Sequence, residues 1–261
     1  MKVSRSIVDN RRTKILEMLR HHESVKVNEL AEQLNTSPLT IRRDLEALEK
    51  ENLVMRFHGG ASLIKDEGQE NMFSSNLTLH KHAIAKEAAK FVEDGDTIFI
   101  NTSSTALLIL NYITAKQVTV ITNNAKAIFS KIREDMMVFL TGGELRFPKE
   151  SMVGDFAINN LSRVKASKCF LGCSGLTIEE GITTAVLQET AINELMLNRT
   201  TGERFILGDY QKIGRTHSFV SGSIDKISCL ITDIYADQNV VNRLRERNIE
   251  VIQVKPLKRI E

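Results

Sequence analysis

The stretch SPLTIRRDL, residues 37–45, decides the fold of the amino-terminal part of this chain. Ser37 can cap a helix, and Pro38 fits the first helical turn because the N–H that proline lacks has no partner there. Apolar residues then recur at helical spacing and can face a core: Ile41, Leu45 and Leu48. The pattern therefore predicts a short helix that begins at residue 37 or 38.

The opposite face of this helix carries the polar residues. Leu39, Arg42, Arg43 and Glu46 point away from the core on a helical wheel, with Thr40 beside them. An arginine can make a bidentate contact to guanine O6 and N7, and helix-start amides can bind phosphate. Paired arginines on a helix are more often a solvated face, so the flanking sequence has to decide between the two.

The flanking sequence favours DNA binding. Residues 11–19 have helical spacing, residues 27–34 form a second short helical pattern, and Asn35-Thr36 follows as a turn. Residues 53–57 then predict a strand, and His58-Gly59-Gly60-Ala61 predicts a glycine turn. Helix, helix, turn, helix and a two-stranded wing, in that order, describe a winged helix-turn-helix.

This segment resembles the DeoR-type bacterial transcription regulators. Their signature combines an arginine, two aliphatic residues at spacing four, a small residue, and the run T-aliphatic-R-R-D-aliphatic. This chain matches the signature at ten positions: Arg11, Ile15, Leu19, Ser37, Thr40, Ile41, Arg42, Arg43, Asp44 and Leu45. We expect the DNA contacts to come from Ser37, Pro38, Thr40, Arg42, Arg43, Arg56 and His58.

The composition limits the class of protein and the compartment in which we expect it. Residues 1–60 hold 11 Lys and Arg against 9 Asp and Glu, so the whole formal charge of +2 lies in this part. Three scattered cysteines, Cys169, Cys173 and Cys229, predict buried free thiols and neither a disulfide framework nor a zinc site. With neither a membrane-spanning apolar run nor a signal-peptide pattern, we expect a cytoplasmic protein.

The rest of the chain predicts a second, α/β domain. We expect a DNA-binding domain at residues 1–61, a polar linker at 62–76 and the α/β domain at 77–261. Strands are predicted at 97–100, 118–121, 137–140, 169–171, 205–207, 229–231 and 250–254. Helices are predicted from Lys81 to Val92 and at 106–113, 125–132, 187–197 and 240–247. Short apolar strands separated by helices imply a Rossmann-like, mostly parallel sheet.

Polar clusters follow several of these strands, where ligands bind in such sheets. The cluster after the first strand carries four hydroxyl groups at a predicted helix start, which suits a phosphate. The candidate effector residues are Asn101, Thr102, Ser103, Ser104, Thr105, Asn123, Gly142, Gly143, Gly172, Asp209 and Lys212. Asp209 could bind sugar hydroxyls and Lys212 could supply charge; none of these contacts needs a metal ion or another cofactor.

The resemblance to DeoR-type regulators extends from Arg11 to Val254. It implies a carboxyl-terminal sensor domain that is similar to ribose-phosphate isomerase, and we expect this sensor to bind a phosphorylated sugar. It also implies a homo-oligomeric repressor. Three positions in the sensor loops depart from the family pattern. The first loop commonly reads D-x-G-T-T, and here Asn101 replaces the acid and Ser103 the glycine; Gln211 replaces the serine of a later D-x-S-K motif.

Three functions compete at this point. The first is a transcription repressor released from DNA by a sugar phosphate. The second is a sugar-phosphate isomerase with a DNA-binding appendage, whose proton-transferring carboxylate would come from Glu179, Glu180, Glu189 or Asp209. The third is a constitutive architectural DNA protein, which leaves the second domain without a role. The arrangement of residues favours the first.

Overall fold

The computed structural model describes residues 8, 11–12, 14–16, 18–19, 25–50, 54–57, 59–63, 74–258 and 260. The chain divides into two compact units, Met1–Asn71 and Met72–Glu261. None of the helices within the described residues is long and apolar enough to cross a membrane.

The amino-terminal unit is built from helices and one small sheet. The described residues between 11 and 19 are helical, and the later helices are α1 (Val27–Gln33) and α2 (Pro38–Lys50). The strands β1 (Val25–Lys26), β2 (Val54–Phe57) and β3 (Gly60–Leu63) form an antiparallel sheet in the order β1-β3-β2. The expected hairpin is therefore present, and β1 adds a third strand to it.

The helical spacing seen in the sequence corresponds to one packed core. The buried side chains include Ile15, Leu19, Leu30, Ile41, Leu45 and Leu48. At the hairpin turn, Gly59 has a φ of +87°, and a Cβ at Gly60 would lie 2.6 Å from the Phe57 ring and 2.7 Å from the Val25 carbonyl. The two glycines of the turn are needed for different reasons: one for its backbone conformation, the other for close packing.

An ion pair joins the first helical segment to α2. Asp44 is buried, and its carboxylate accepts from Arg11 Nε at 2.6 Å and from Arg12 Nε at 3.3 Å. Two arginines thus compensate the buried charge of Asp44. The pair holds α2 against the first helical segment, while the neighbouring Arg42 and Arg43 remain exposed.

The carboxyl-terminal unit contains a seven-stranded parallel sheet in the order β15-β14-β12-β9-β4-β5-β6. Its strands are β4 (Thr97–Ile100), β5 (Thr119–Thr122), β6 (Met137–Leu140), β9 (Lys168–Gly172), β12 (Arg204–Leu207), β14 (Cys229–Asp233) and β15 (Glu250–Val254). All seven strands run in the same direction, so their carboxyl ends meet at one edge. This arrangement confirms the predicted fold class.

Two apolar layers cover the faces of this sheet. The helices are α3 (Ser74–Ala88), α4 (Ser104–Leu107), α5 (Asp155–Ser162), α6 (Leu187–Arg199) and α7 (Gln238–Glu246), with 3₁₀ turns at Ala89–Phe91, Leu108–Asn111, Ala125–Phe129 and Ile224–Lys226. One layer includes Ile84 of α3 and Ala127, and the other includes Ala157 of α5 and Ile192 of α6. The sheet is therefore packed on both faces, as the apolar strands predicted.

Two predicted helices are shorter and tighter than expected. The segment predicted at 106–113 is α4 followed by the 3₁₀ turn Leu108–Asn111, and the segment at 125–132 is a single 3₁₀ turn, Ala125–Phe129. In the first segment Tyr112 N donates to the Ile109 carbonyl three residues earlier, which marks the tightening. The second segment starts at Asn124, whose side chain accepts from Lys126 N.

Several elements were not expected from the sequence. They are the hairpin of β7 (Glu144–Arg146) and β8 (Ser151–Val153), helix α5, and a second sheet in the order β10-β11-β13, made of Gly175–Thr177, Gly181–Thr184 and Phe219–Gly222. Their strands have three or four residues, too few for an alternating pattern.

The linker and domain bounds remain a prediction: helix α3 begins at Ser74, and residues 64–73 lie outside the described residues.

The ion pair at Asp44 generates the first prediction. Asp44→Ala should lower the stability of the amino-terminal unit by about 2–3 kcal/mol, because Arg11 loses a buried charged partner. Urea denaturation of the full chain, followed by circular dichroism, measures the loss. Glu32→Ala, at an exposed position on α1, is the control and should change stability by less than about 0.5 kcal/mol. Equal midpoints for the two variants would contradict a stabilising role for the pair.

Candidate functional site

Helix α2 presents a polar surface that begins at its amino terminus. Ser37 Oγ accepts from Thr40 N at 3.2 Å and lies 2.8 Å from Thr40 Oγ1, so Ser37 caps the helix as predicted. Ser37, Pro38, Arg42 and Arg43 are exposed, and Thr40 is half-buried. Within the described part of the chain, no hydrogen bond or ion pair engages the side chains of Arg42 and Arg43. Both guanidinium groups are available to a partner outside the unit.

The wing residue Arg56 is held differently. Its Nε donates to Glu49 Oε2 at 2.7 Å, and its backbone N–H donates to Glu49 Oε1 at 3.3 Å. The hydrogen bond from the Arg56 side chain lowers the pKa of Glu49 below its usual value. Arg56 is thus oriented by α2 before any ligand binds. His58, the other residue expected at the wing, lies outside the described residues.

In the second unit, the parallel strands bring four of the expected loops together. Strands β12, β9, β4 and β5 are consecutive neighbours, and their carboxyl ends lead into the loops that start at Asp209, Cys173, Asn101 and Asn123. The fifth loop, Gly142-Gly143, follows β6, two strands or about 10 Å from β4. The sheet order therefore supports one shared site at this edge.

Asn101 joins the first of these loops to its neighbours. Its Nδ2 donates to the Gly172 carbonyl at 2.9 Å and to Asn193 Oδ1 at 3.0 Å. Its Oδ1 accepts from Gly172 N at 3.0 Å and from Ser103 N at 3.2 Å. Asn101 is buried, and the protein uses both ends of its amide. This explains why asparagine stands where the family commonly has an acid, since a carboxylate has no N–H to donate.

The hydroxyl loop packs closely against β9. Ser103 caps α4 by accepting from Ala106 N at 3.3 Å, and a Cβ at Gly172 would collide with the Ser103 side chain. Serine in place of the family glycine is therefore matched by glycine at 172. Ser104 is exposed, Thr102 is half-buried and Thr105 is buried. Thr102 and Ser104 are thus the hydroxyls that a ligand can reach.

A carboxylate and an amide from α6 complete this region. Glu189 is buried; its Oε1 accepts from Thr102 Oγ1 at 3.4 Å, and its Oε2 accepts from Thr184 Oγ1 at 3.2 Å. Asn193, one turn later, binds Asn101. The sequence pattern pointed to Glu189 only as a candidate isomerase carboxylate and did not single out Asn193. Their spacing of four residues on an otherwise apolar helical face was the available signal.

The loop that carries Asp209 and Lys212 lies beside Cys173. Asp209 is buried, and its Oδ1 accepts from Gln211 N at 3.0 Å, which shapes the turn. A Cβ at Gly208 would contact both Lys212 Cβ, at 3.4 Å, and Cys173 Sγ, at 3.5 Å. Lys212 is half-buried, and within the described residues its ammonium group has no ion-pair partner. It is a positive charge at the carboxyl edge that is free for an anion.

The three cysteines are free thiols, as the sequence predicted. Cys169 and Cys229 are buried and Cys173 is half-buried. Burial raises the pKa of each thiol to about 12. All three are therefore protonated at neutral pH, and the described residues contain no group of three or more His, Cys, Asp or Glu side chains suited to a metal ion.

The loop after β5 contains a buried polar atom and a cation that the sequence did not single out. Asn123 Nδ2 donates to the Met152 carbonyl at 3.2 Å, while its buried Oδ1 has no hydrogen-bond partner among the described residues. Arg146 on β7 lies opposite Ser151, which bridges to Asn124. The Arg146 Nη1 atom is buried and likewise lacks a hydrogen-bond partner there. This cation belongs to a hairpin that the sequence did not predict.

Gly142 and Gly143 shape the end of β6. Their φ angles are +69° and +113°, in the region that favours glycine, and a Cβ at Gly143 would collide with the Val153 carbonyl. Asn160 Nδ2 donates to the Thr141 carbonyl at 2.8 Å. The two glycines thus allow the chain to turn tightly between β6 and the β7–β8 hairpin.

The amide of Asn101 generates the second prediction. Asn101→Asp should destabilise the carboxyl-terminal unit by about 2–4 kcal/mol at pH 7, because a carboxylate would face the Gly172 carbonyl and Asn193 Oδ1 without donating to either. Thermal unfolding of the full chain gives the change. Asn159→Asp, at an exposed position on α5, makes the same chemical change and should be nearly neutral. A similar melting temperature for both variants would show that the Asn101 amide does not hold the loops.

Comparisons with known proteins agree with this geometry in both units. The model of the DeoR-like helix-turn-helix domain matches residues 11–67, and the model of the DeoR C-terminal sensor domain matches residues 77–234. Solved structures are more distant. A ribose 5-phosphate isomerase A of Methanocaldococcus jannaschii is 19% identical with a TM-score of 0.38, covering 53% of this chain and 55% of its own. Similarity at that level carries no functional argument.

Curated relatives match over nearly the whole chain. An uncharacterized HTH-type transcriptional regulator of Bacillus subtilis, YulB, is 33% identical, covering 97% of this chain and 99% of the relative. The HTH-type transcriptional regulator GolR of Listeria innocua is 32% identical, covering 92% and 96%. The lactose phosphotransferase system repressor of Staphylococcus aureus is 28% identical, covering 91% and 96%. With both domain models matched in order and relatives similar along their full length, the chain belongs to the DeoR family of DNA-binding transcription regulators.

Proposed function

We propose that this protein is a homo-oligomeric repressor of a sugar-utilisation operon and that a phosphorylated sugar or sugar derivative releases it from its operator. The observation that carries the proposal is the set of loops at the carboxyl edge of the sheet, with reachable hydroxyls at Thr102 and Ser104 and a Lys212 ammonium that has no ion-pair partner among the described residues. A relative named as a lactose phosphotransferase system repressor supports the direction of regulation.

Phosphate suits these loops on chemical grounds. Hydroxyl and backbone N–H groups at the start of α4 donate hydrogen bonds, and Lys212 adds a positive charge. Charge-assisted hydrogen bonds are about twice as strong as neutral ones, so a phosphate dianion gains more here than a neutral hydroxyl would. Asp209 and Glu189 supply carboxylate oxygens, which accept hydrogen bonds from sugar hydroxyls. The arrangement therefore favours a ligand with a phosphate at one end and hydroxyls at the other.

The isomerase alternative rests on one observation, the buried carboxylate of Glu189 beside Thr102. Both oxygens of this carboxylate already accept hydrogen bonds from the hydroxyls of Thr102 and Thr184. In this structure Glu189 therefore acts as a hydrogen-bond acceptor. We therefore assign Glu189 to binding and positioning and propose that the protein is not an enzyme. Incubation with a panel of aldose and ketose phosphates tests this, and turnover of any of them would support the alternative.

The DNA contacts generate the third prediction. Arg42→Ala and Arg43→Ala should each weaken operator binding by about 1–3 kcal/mol, because each removes an exposed guanidinium that can contact a base edge. Loss of Arg56 should weaken binding to all sequences about equally, since we expect its contact to be with phosphate. Gel-shift titrations at fixed salt measure both effects. Near wild-type affinity of both Arg42→Ala and Arg43→Ala would contradict the placement of α2 in a DNA groove.

The effector chemistry generates the fourth prediction. A phosphorylated sugar or polyol should bind at least about tenfold more tightly than its unphosphorylated parent, a difference of about 1.4 kcal/mol. Isothermal titration of the full chain compares each pair of compounds. Lys212→Ala and Ser104→Ala should each bind operator normally but fail to release it when the effector is added; Thr105 is buried and is left unchanged. Equal affinity for both forms of the ligand would contradict a phosphorylated effector, and normal release of these variants would place the effector pocket elsewhere.

A further inference from the structure

One of the two edge strands of the parallel sheet, β6, is apolar and unusually exposed. It reads Met137-Val138-Phe139-Leu140, with 56% of Met137, 54% of Phe139 and 37% of Leu140 exposed. Natural proteins usually protect an edge strand with charges, prolines or a covering element. None of the four residues of β6 is charged or a proline, and no described strand pairs with its outer side.

The outer side of β6 carries free main-chain groups. Met137 N donates to the Val118 carbonyl and Thr141 N to the Thr122 carbonyl, each at 3.0 Å. Because main-chain groups alternate in direction along a strand, those of Val138 and Leu140 point away from β5. Two residues, each with one N–H and one carbonyl, are therefore available to a further strand.

Exposed apolar side chains also lie on the turn that connects β5 to β6 and on α5, whose Ala157 would lie 3.2 Å from a Cβ at Gly143, just after β6. Ile128 and Phe129 belong to the 3₁₀ turn whose Ala127 packs in one apolar layer, and Phe156 belongs to α5, whose Ala157 packs in the other. We call Ile128, Phe129, Met137, Phe139, Leu140 and Phe156 together the apolar edge. At about 200 Å² for each fully exposed large side chain, their exposed fractions correspond to roughly 700 Å² of apolar surface.

We propose that the apolar edge is the surface through which two copies of this chain dimerise, with β6 pairing antiparallel to the β6 of its partner. The area is close to the roughly 800 Å² that each partner contributes to a stable interface, and large for a surface left in water. A second copy also fits the backbone. An antiparallel two-fold pairing can place Val138 opposite the partner's Leu140, which satisfies all the outward groups of both strands and joins two sheets into one.

This register puts Phe139 on the two-fold axis. Phe139 faces the partner's Phe139 as a non-hydrogen-bonded pair, the closer of the two pair types, with Cα atoms about 4.5 Å apart. The inference rests on the homo-oligomeric part of the proposed function, and it names the residues that carry it. It does not depend on which effector or operator the protein binds.

Charge at position 139 tests the proposal. Sedimentation equilibrium of the full chain should give a dimer or a multiple of one for the wild type and a dissociation constant raised at least tenfold for Phe139→Lys, because two ammonium groups would meet at the axis. Phe139→Glu should dissociate in the same way, and an equal mixture of the two variants should associate again. Recovery on mixing separates a contact across the axis from damage to the fold. Val220→Lys, which places the same charge at a strand residue that is 53% exposed, should leave association unchanged.

A crosslink tests the register independently. Phe139→Cys should form a disulfide-linked dimer under mild oxidation, because this pair spacing lies within disulfide range. The wild type should form little disulfide-linked dimer, since its own cysteines are buried or half-buried and protonated. A monomeric wild type, a Phe139→Lys variant that remains dimeric, or a Phe139→Cys variant that does not crosslink would each overturn the proposal. None of these outcomes bears on phosphate binding, which the titrations measure separately.

Discussion

The amide of Asn101 is the interaction on which the arrangement of the sensor loops depends. It joins the end of β4 to the end of β9 through the backbone N–H and carbonyl of Gly172, and to α6 through Asn193. An amide can do this because it donates and accepts at once, whereas a carboxylate only accepts. Asn101 Oδ1 also accepts from Ser103 N. Together these four hydrogen bonds give the hydroxyl loop a defined position at the carboxyl edge of the sheet. The adjoining Ser103 fits only because residue 172 has no Cβ.

The Arg-Arg-Asp run of the DNA-binding unit separates two roles along consecutive residues. Each helical residue is rotated by about 100° from the one before it, so Asp44 faces the core while Arg42 and Arg43 face solvent. The buried carboxylate pairs with Arg11 and fixes α2 against the first helical segment. The two exposed guanidinium groups then lie on a positioned scaffold, which would lower the entropy lost in the DNA contacts proposed for them. Structural and recognition roles are thus adjacent in sequence and opposite in direction.

The two units place different requirements on the same chain. The ligand proposed for the sensor would bind at the carboxyl edge of the sheet, beside buried polar groups that satisfy one another, such as Asn101 and Asn193. The DNA-binding unit needs unpaired charge at its surface. At the edge strand β6 a third feature appears, because its exposed apolar side chains and free main-chain groups favour pairing with another strand. A two-fold dimer would also give the family's DNA-binding unit two copies, which matches the symmetry of many operators.

The sequence by itself determined the fold class, the strands at 97–100, 137–140 and 250–254, the capped helix at Ser37 and the loops in which the candidate residues lie. Periodicity and capping are local, so they can be recognised within a few residues. Only the tertiary structure decided which residues meet: Arg11 with Asp44, Asn101 with Gly172 and Asn193, Thr102 with Glu189. It also decided that β6 is an edge strand and that a hairpin brings Arg146 towards Asn123. Partners such as Asn101 and Asn193 are 92 positions apart, and their contact follows from strand order and helix packing, which no local pattern encodes.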